Sequence, residues 1–219
     1  MAGKFISFEG PDGAGKTSVL QQIEHDLESE LGANQVLYTR EPGGNPISEQ
    51  IRQLLFNPAN TEMDGRTEAL LFAAARRQHI VSEIVPALKA DKVILCDRYV
   101  DSSIAYQGAG RQLGEEAVWQ MNQFAIDGLL PQLTIYLDIE SALGLRRIAE
   151  HRADQVNRLD KEQLSFHRTV RQAYLRLYHQ YPERIKLIDA SQPLAKVIAD
   201  VRQTIHARYP DLFAEESKR

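Results

Sequence analysis

The segment Gly10-Pro11-Asp12-Gly13-Ala14-Gly15-Lys16-Thr17 constrains this chain more than any other. It fits the pattern G-x-x-x-x-G-K-[ST] at every fixed position. Phe5 to Phe8 before it reads as a short strand. After it, Val19, Leu20, Ile23, Leu27 and Leu31 fall at helical spacing between Ser18 and Leu31. Strand, glycine turn and helix together make a phosphate cradle: glycines let backbone N–H groups point inward, and the helix N-terminus adds partial positive charge. Gly10 through Thr17 are therefore expected to hold the phosphates of ATP. Lys16 supplies a mobile charge for the outer phosphates, and the Thr17 hydroxyl completes a Mg²⁺ shell.

The rest of the chain repeats the alternation of strand and helix. Strand-like runs occupy Gln35 to Thr39, Lys92 to Cys96, Leu133 to Leu137 and Ile185 to Ile188. Helical patterns cover Ile47 to Leu55, Thr67 to Ala90, Glu115 to Asp127, Ser141 to His151, Glu162 to Tyr181 and Leu194 to Tyr209. Gly32 offers a helix stop. This predicts an α/β fold, a parallel sheet with helices on both faces and ligands outside the carboxyl ends of the strands. One domain of 219 residues is expected, with a charged, frayed tail after about residue 210.

Charge and composition narrow the partners. A net charge of −4 gives no reason to expect nucleic-acid binding. No apolar run approaches the ~18 residues of a membrane span. The start of the chain runs straight into a strand, so no signal peptide and a cytoplasmic location are expected. The single cysteine, Cys96, lies in an apolar strand and reads as a buried thiol.

Asp97 and Arg98 fall at a strand end beside the cradle. Asp97 suits Mg²⁺ coordination through water, or else pairing with a nearby arginine. Arg98 suits bidentate phosphate recognition, or else a plain surface salt bridge. The guanine-reading Asn-Lys-x-Asp of switch proteins is absent. A small kinase acting on a small acceptor remains, and the six histidines are read as non-catalytic.

At this point the residues carry a resemblance. Phe8 to Thr17, Thr39-Arg40-Glu41-Pro42-Gly43-Gly44, Leu71 to His79 and Asp97 to Gly108 resemble, in order, the motifs of bacterial thymidylate kinases. The resemblance implies a nucleoside-monophosphate kinase fold with a five-stranded parallel sheet. It implies transfer of the ATP γ-phosphoryl group to dTMP with Mg²⁺, giving dTDP for dTTP synthesis, by a homodimer. By position, Asp12 looks like the residue near the acceptor sugar, Phe72 like the ring stacked on thymine, and Arg76 like the donor to a thymine carbonyl. Arg98 looks like the clamp on the acceptor phosphate, with Arg40 and Arg52 near it, and Ser103 and Tyr106 like pocket walls. Phe72 and Tyr106 also suit core positions, and Arg76 a solvated helix face.

The loop contains no arginine, so the resemblance places the transition-state arginine in a lid at about 147–160, with Arg147 and Arg152 the candidates. A solvated helix pair would look similar in sequence. Two positions depart from the family pattern: Asn45 stands for a usual Thr, and Asn157 to Asp160 for Asp-Arg-hydrophobic-Glu. The helix carrying Val118, Met121, Phe124 and Ala125 is the candidate dimer face, or else packs on the sheet.

Overall fold

The computed structural model describes residues 3–151 and 162–213. The strands are β1 (Lys4–Glu9), β2 (Val36–Arg40), β3 (Val93–Asp97), β4 (Leu133–Asp138) and β5 (Ile185–Asp189). They form one sheet in the order β2-β3-β1-β4-β5, and every pairing is parallel. The register aligns the carboxyl ends. Phe8 and Arg40 both pair with Asp97, and Glu9 pairs with Tyr136. The chain's polar residues at strand ends therefore meet along one edge.

The helices around the sheet are α1 (Lys16–Leu31), α2 (Pro46–Phe56), α3 (Gly65–His79), α4 (Val85–Lys89), α5 (Val100–Ser103), α6 (Glu115–Ile126), α7 (Ser141–His151), α8 (Leu164–Gln180) and α9 (Leu194–Arg208). Strand alternation explains which face each covers. Ile6, Phe8, Leu95, Ile135 and Leu137 pack with Val19, Leu20 and Ile23 of α1 and Val197, Val201 and Ile205 of α9. The intervening residues face the other way. Phe5, Ile94 and Cys96 pack with Ile80, Ile84 and Tyr99, while Tyr136 joins Tyr174, Phe166 and Ile104. Strands apolar on both faces are what a doubly covered parallel sheet requires. Cys96 is fully buried as expected, and Gly32 caps α1 at φ 90°.

Several expectations need correction. The helix read from Thr67 to Ala90 is α3 and α4 joined by a π-helical turn at Ile80–Ile84. That wide turn precedes Pro86, which has no N–H to continue the α ladder. After Asp97, where the sequence pattern predicts no helix, α5 runs into a π-helical turn at Ile104–Gly110. Of the tail expected to fray after about 210, residues 214–219 lie outside the described residues, and those up to 213 pack against the domain. Leu212 and Phe213 are buried in the α1/α9 core, Arg202 stacks on Phe213, and Lys4 pairs with Asp211 at 3.0 Å. The four residues of α6 do not share a face: Val118 and Ala125 point inward, whereas Phe124 is 91% exposed. Among the described residues, no helix is long and apolar enough to cross a membrane.

Candidate active site

A cleft of about 800 Å³ opens along the carboxyl edge of the sheet. The loop from Gly10 to Thr17 forms its floor. Gly10, Gly13 and Gly15 take φ of 145°, 80° and 82°, conformations that side chains resist. Gly13 also touches the backbone of Gly144 in α7 so closely that no side chain fits between them. Lys16 reaches back across the loop, donating to the carbonyls of Gly10 and Pro11 at 3.0 Å each. Burial and the nearby Arg98 bring its ammonium down from 10.5 to about 8.

Arg98 occupies the centre. It has a φ of 70°, unusual for a residue with a side chain, immediately after β3. Its N–H still bonds Phe8 O at 2.9 Å. The left-handed turn breaks the strand alternation, so Asp97 and Arg98 both line the cleft. The guanidinium pairs with Asp12 Oδ1 at 2.6 Å through Nη2. Its Nη1 donates to Gly10 O, Ser102 Oγ and Tyr174 Oη at 3.1, 3.1 and 3.3 Å. Tyr106 closes the group, donating to Asp12 Oδ2 at 2.7 Å, with Arg98 above its ring at 5.0 Å. Burial alone would raise the Asp12 carboxyl; Arg98 and Lys16 outweigh it and hold it below the usual range.

Arg40 and Arg52 approach from β2 and α2. Arg40 Nη2 pairs with Glu49 at 3.2 Å, and Arg52 donates to Pro42 O at 2.9 Å above the Phe56 ring. Burial and repulsion from Arg40 lower the Arg52 guanidinium. Asn45, the departure in this turn, caps α2 by accepting from Ser48 N at 3.0 Å. Arg40, Arg52 and Arg98 thus all line the cleft, with Arg98 in direct contact with the loop.

Phe72 lines the cleft half-buried, edge-on to Phe56 at 6.2 Å. Arg76, one helical turn later, also lines it but is no solvated helix residue: it is 2% exposed. Its guanidinium donates to Glu41 Oε2 at 2.7 Å, Ser103 Oγ at 3.1 Å, Asn122 Oδ1 and Tyr99 O at 3.1 Å. Glu41 in turn meets His79 Nδ1 at 3.0 Å, and His79 Nε2 meets Thr39 Oγ1 at 2.6 Å. Ser103 is therefore not the wall residue expected of it. Its side chain turns to Arg76, and of these two neighbouring serines it is Ser102 that lines the cleft.

Asp97 and Thr17 share the cleft lining. Asp97 Oδ1 is buried with no hydrogen-bond partner among the described residues. Arg147 does not join Lys16 and Arg98. It donates to the carbonyls of Ala190 and Ser191, at 2.9 and 3.3 Å, just after β5 and two strands from β1. With Ile148, Gln192, Leu194 and Val197 it lines the cleft there. Arg152, and with it the expected lid as far as 160, lies outside the described residues. Sequence reasoning gave no individual role to Glu9, Glu41, Ser102, Asn122 and Tyr174, while His79 is paired, as a non-catalytic reading allows. Glu9 and Glu41 carried a local signal, directly before the loop and in the turn after β2.

Comparison with known proteins agrees with this fold. The family model of thymidylate kinases matches residues 8–201. The thymidylate kinase of Limosilactobacillus reuteri (strain DSM 20016) is 78% identical over 213 residues, covering 97% of this chain and 100% of the relative. That of Limosilactobacillus fermentum is 62% identical, covering 97% and 99%. The crystal structure of thymidylate kinase from Ehrlichia chaffeensis superposes with a TM-score of 0.77 at 31% identity, covering 94% of this chain and 99% of that one. The chain belongs to the thymidylate kinase family.

Proposed function

We propose that the chain transfers the γ-phosphoryl group of ATP to the phosphate of dTMP, giving dTDP and ADP on the route to dTTP. The observation that carries this is the position of Arg98, joined to Asp12 of the phosphate loop and to Tyr106, in the cleft that Phe72 also lines. The acceptor is a phosphate monoester, mostly dianionic at neutral pH because its second pKa is ~6. Its oxygen needs no general base. The protein must instead hold two anions in line and offset their charge.

Lys16 and the loop N–H groups of Gly10 to Thr17 hold the donor phosphates. Arg98, aided by Arg40 and Arg52, holds the acceptor phosphate. Phe72 offers its face to the thymine ring, Arg76 backs the base with Ser103 fixing it, and Tyr106 and Asp12 flank the sugar. Arg147, with its apolar neighbours by β5, suits the adenine end of ATP. Arg152 is then the candidate for the transition-state arginine.

Asp97 Oδ1, unpartnered among the described residues, shares the cleft lining with Thr17 and fits a Mg²⁺ ion. No cluster of three or more acidic, His or Cys ligands occurs among the described residues. That suits an ion that keeps waters and takes its remaining ligands from phosphate. Asp97 and Thr17 would hold the ion, which would offset phosphate charge there.

The working unit is a homodimer in the cytoplasm. α3 packs between α2 and α6, and these helices with the π-helical turn after α3 expose Ile47, Leu54, Leu70, Val81 and Phe124. Exposed apolar residues on adjacent helices fit a second copy of the chain.

The test is an acceptor panel of dTMP, dUMP, dGMP, dCMP, AMP and thymidine with Mg-ATP. We expect kcat/KM highest for dTMP. Preference for another acceptor, or ATP hydrolysis with transfer to none, would overturn the assignment.

A further inference from the structure

Behind Arg98 lies a carboxylate that the phosphoryl-transfer scheme does not use. Glu9, the last residue of β1, is fully buried. Its Oε1 accepts the Tyr99 N–H at 2.7 Å. Its Oε2 accepts the hydroxyls of Ser102 at 2.6 Å and Tyr174 at 2.9 Å. Those same two oxygens accept Nη1 of Arg98. Glu9 is thus one hydroxyl away from the guanidinium, by two parallel routes. Tyr174 is itself held in place, stacked on Tyr136 with centroids 5.1 Å apart.

The polarity of these bonds matters. A hydroxyl has one proton, and a guanidinium can only donate. Ser102 and Tyr174 can accept from Arg98 only while their protons point elsewhere. The Glu9 carboxylate takes both protons and leaves lone pairs facing Arg98. A neutral donor at Oε2 would reverse the chain: it would donate to a hydroxyl, and a hydroxyl proton would turn toward the cation. We infer that Glu9 is a positioning residue for Arg98, its carboxylate aligning the Ser102 and Tyr174 hydroxyls so that the guanidinium is aimed at the acceptor phosphate. This rests on the reading of Arg98 as the acceptor-phosphate ligand.

The charged and titratable surroundings are consistent with an ionisation that is readily disturbed. Burial, then Asp101 of α5, raises the Glu9 carboxyl to about 7, against bonds from Ser102 and Tyr99 and the charge of Arg98. Asp101 is itself held by Arg184, with Nη1 at 2.6 Å. Lys16 of α1, Cys96 of β3, Tyr136 of β4 and Tyr174 of α8 complete the groups facing it.

The test uses the full chain and the variants Glu9→Gln, Ser102→Ala and Arg98→Ala. Dissociation constants for dTMP and for Mg-ATP are read by calorimetry at pH 8, with thermal unfolding alongside. We expect Glu9→Gln to weaken dTMP about tenfold, with Mg-ATP within twofold and Tm not lowered. The wild-type to Glu9→Gln ratio of kcat/KM for dTMP should shrink from pH 8 to pH 6, because Glu9 gains a proton in the wild type while the acceptor's own ionisation cancels in the ratio. Unchanged dTMP affinity in Glu9→Gln, or equal weakening of both ligands with a lowered Tm, would overturn the inference. Should Glu9→Gln fail to fold, Ser102→Ala carries the test, with dTMP weakened at least threefold and Mg-ATP unchanged; unaltered dTMP affinity would again overturn it. Arg98→Ala separates the two levels. If it leaves dTMP binding intact, the acceptor-site reading fails; if it weakens dTMP while Glu9→Gln does not, only the role of Glu9 fails.

Discussion

Replacing Gly144 by Ala sets two physical effects against each other. Gly144 lies inside α7, where helix propensity alone predicts that Ala stabilises by about 1 kcal/mol. The tertiary contact predicts the opposite. A Cβ at Gly144 would sit 2.6 Å from the Asp12 carbonyl oxygen and 3.4 Å from Ile139 Cγ2, where ordinary contacts begin at 3.4 Å. Either α7 or the loop must move by roughly 1 Å, and such overpacking costs about 1–3 kcal/mol. The net effect on stability is a loss of about 0–2 kcal/mol. The catalytic loss should be larger. Asp12 carries the 2.6 Å ion pair to Arg98, and a ~1 Å error at such a site costs up to ~10²-fold in rate. We therefore expect kcat/KM for dTMP to fall by about 10–100-fold in a coupled ADP-release assay, with urea unfolding reporting little gain or a loss. A variant stabilised by about 1 kcal/mol with wild-type turnover would refute the close approach of α7 and the phosphate loop.

Four further outcomes follow from the same geometry. Arg98→Ala should lower kcat/KM for dTMP by at least ~10²-fold, and Arg98→Lys should recover only part of this, since an ammonium lacks the fork; steady-state kinetics with both variants checks it. Leu212→Ala should destabilise by about 2–5 kcal/mol in urea unfolding, whereas a frayed tail would give no change. Phe124→Asp should shift the chain toward monomer in sedimentation, with the monomer's spectrum unaltered. Glu9 makes stability depend on pH. Its carboxyl rises from 4.5 to about 7 on folding, so between those values the folded state holds the extra proton and stability falls as pH rises. At about 1.4 kcal/mol per pH unit the effect is on the order of 3 kcal/mol. The unfolding free energy of Glu9→Gln relative to wild type should therefore rise between pH 5 and pH 7.5, and parallel pH profiles would refute the shift.

The legible part of this protein was local. A glycine-rich loop between a strand and a helix is written in consecutive residues, and so is its chemistry at Lys16 and Thr17. Period-two strands alternating with helical patterns give the doubly covered sheet, and an apolar run around Cys96 gives its burial. Asp97 and Arg98 were visible because they follow such a run directly. Three sites of hidden information share a different character. The left-handed turn that swings Arg98 into the cleft has no local motif, since arginine rarely adopts it. Ser103 looked like a wall because it sits in the right motif; only packing shows that Ser102 faces the cleft and Ser103 faces Arg76. The burial of Leu212 and Phe213 depends on α1 and α9 closing over them, not on the charged residues around them.

The sequence by itself therefore determined the phosphate-loop pattern, because a cradle of backbone N–H groups needs only a short run of the right residues. Tertiary structure decided the surroundings of Arg98 and Arg76. Glu9 meets Tyr174 across 165 residues, Arg98 meets Asp12 across 86, and Arg76 meets Asn122 across 46. Orienting a guanidinium takes fixed acceptors on several sides, and one segment of chain cannot surround it. The loop supplies one of those sides, and the packed sheet and helices supply the rest.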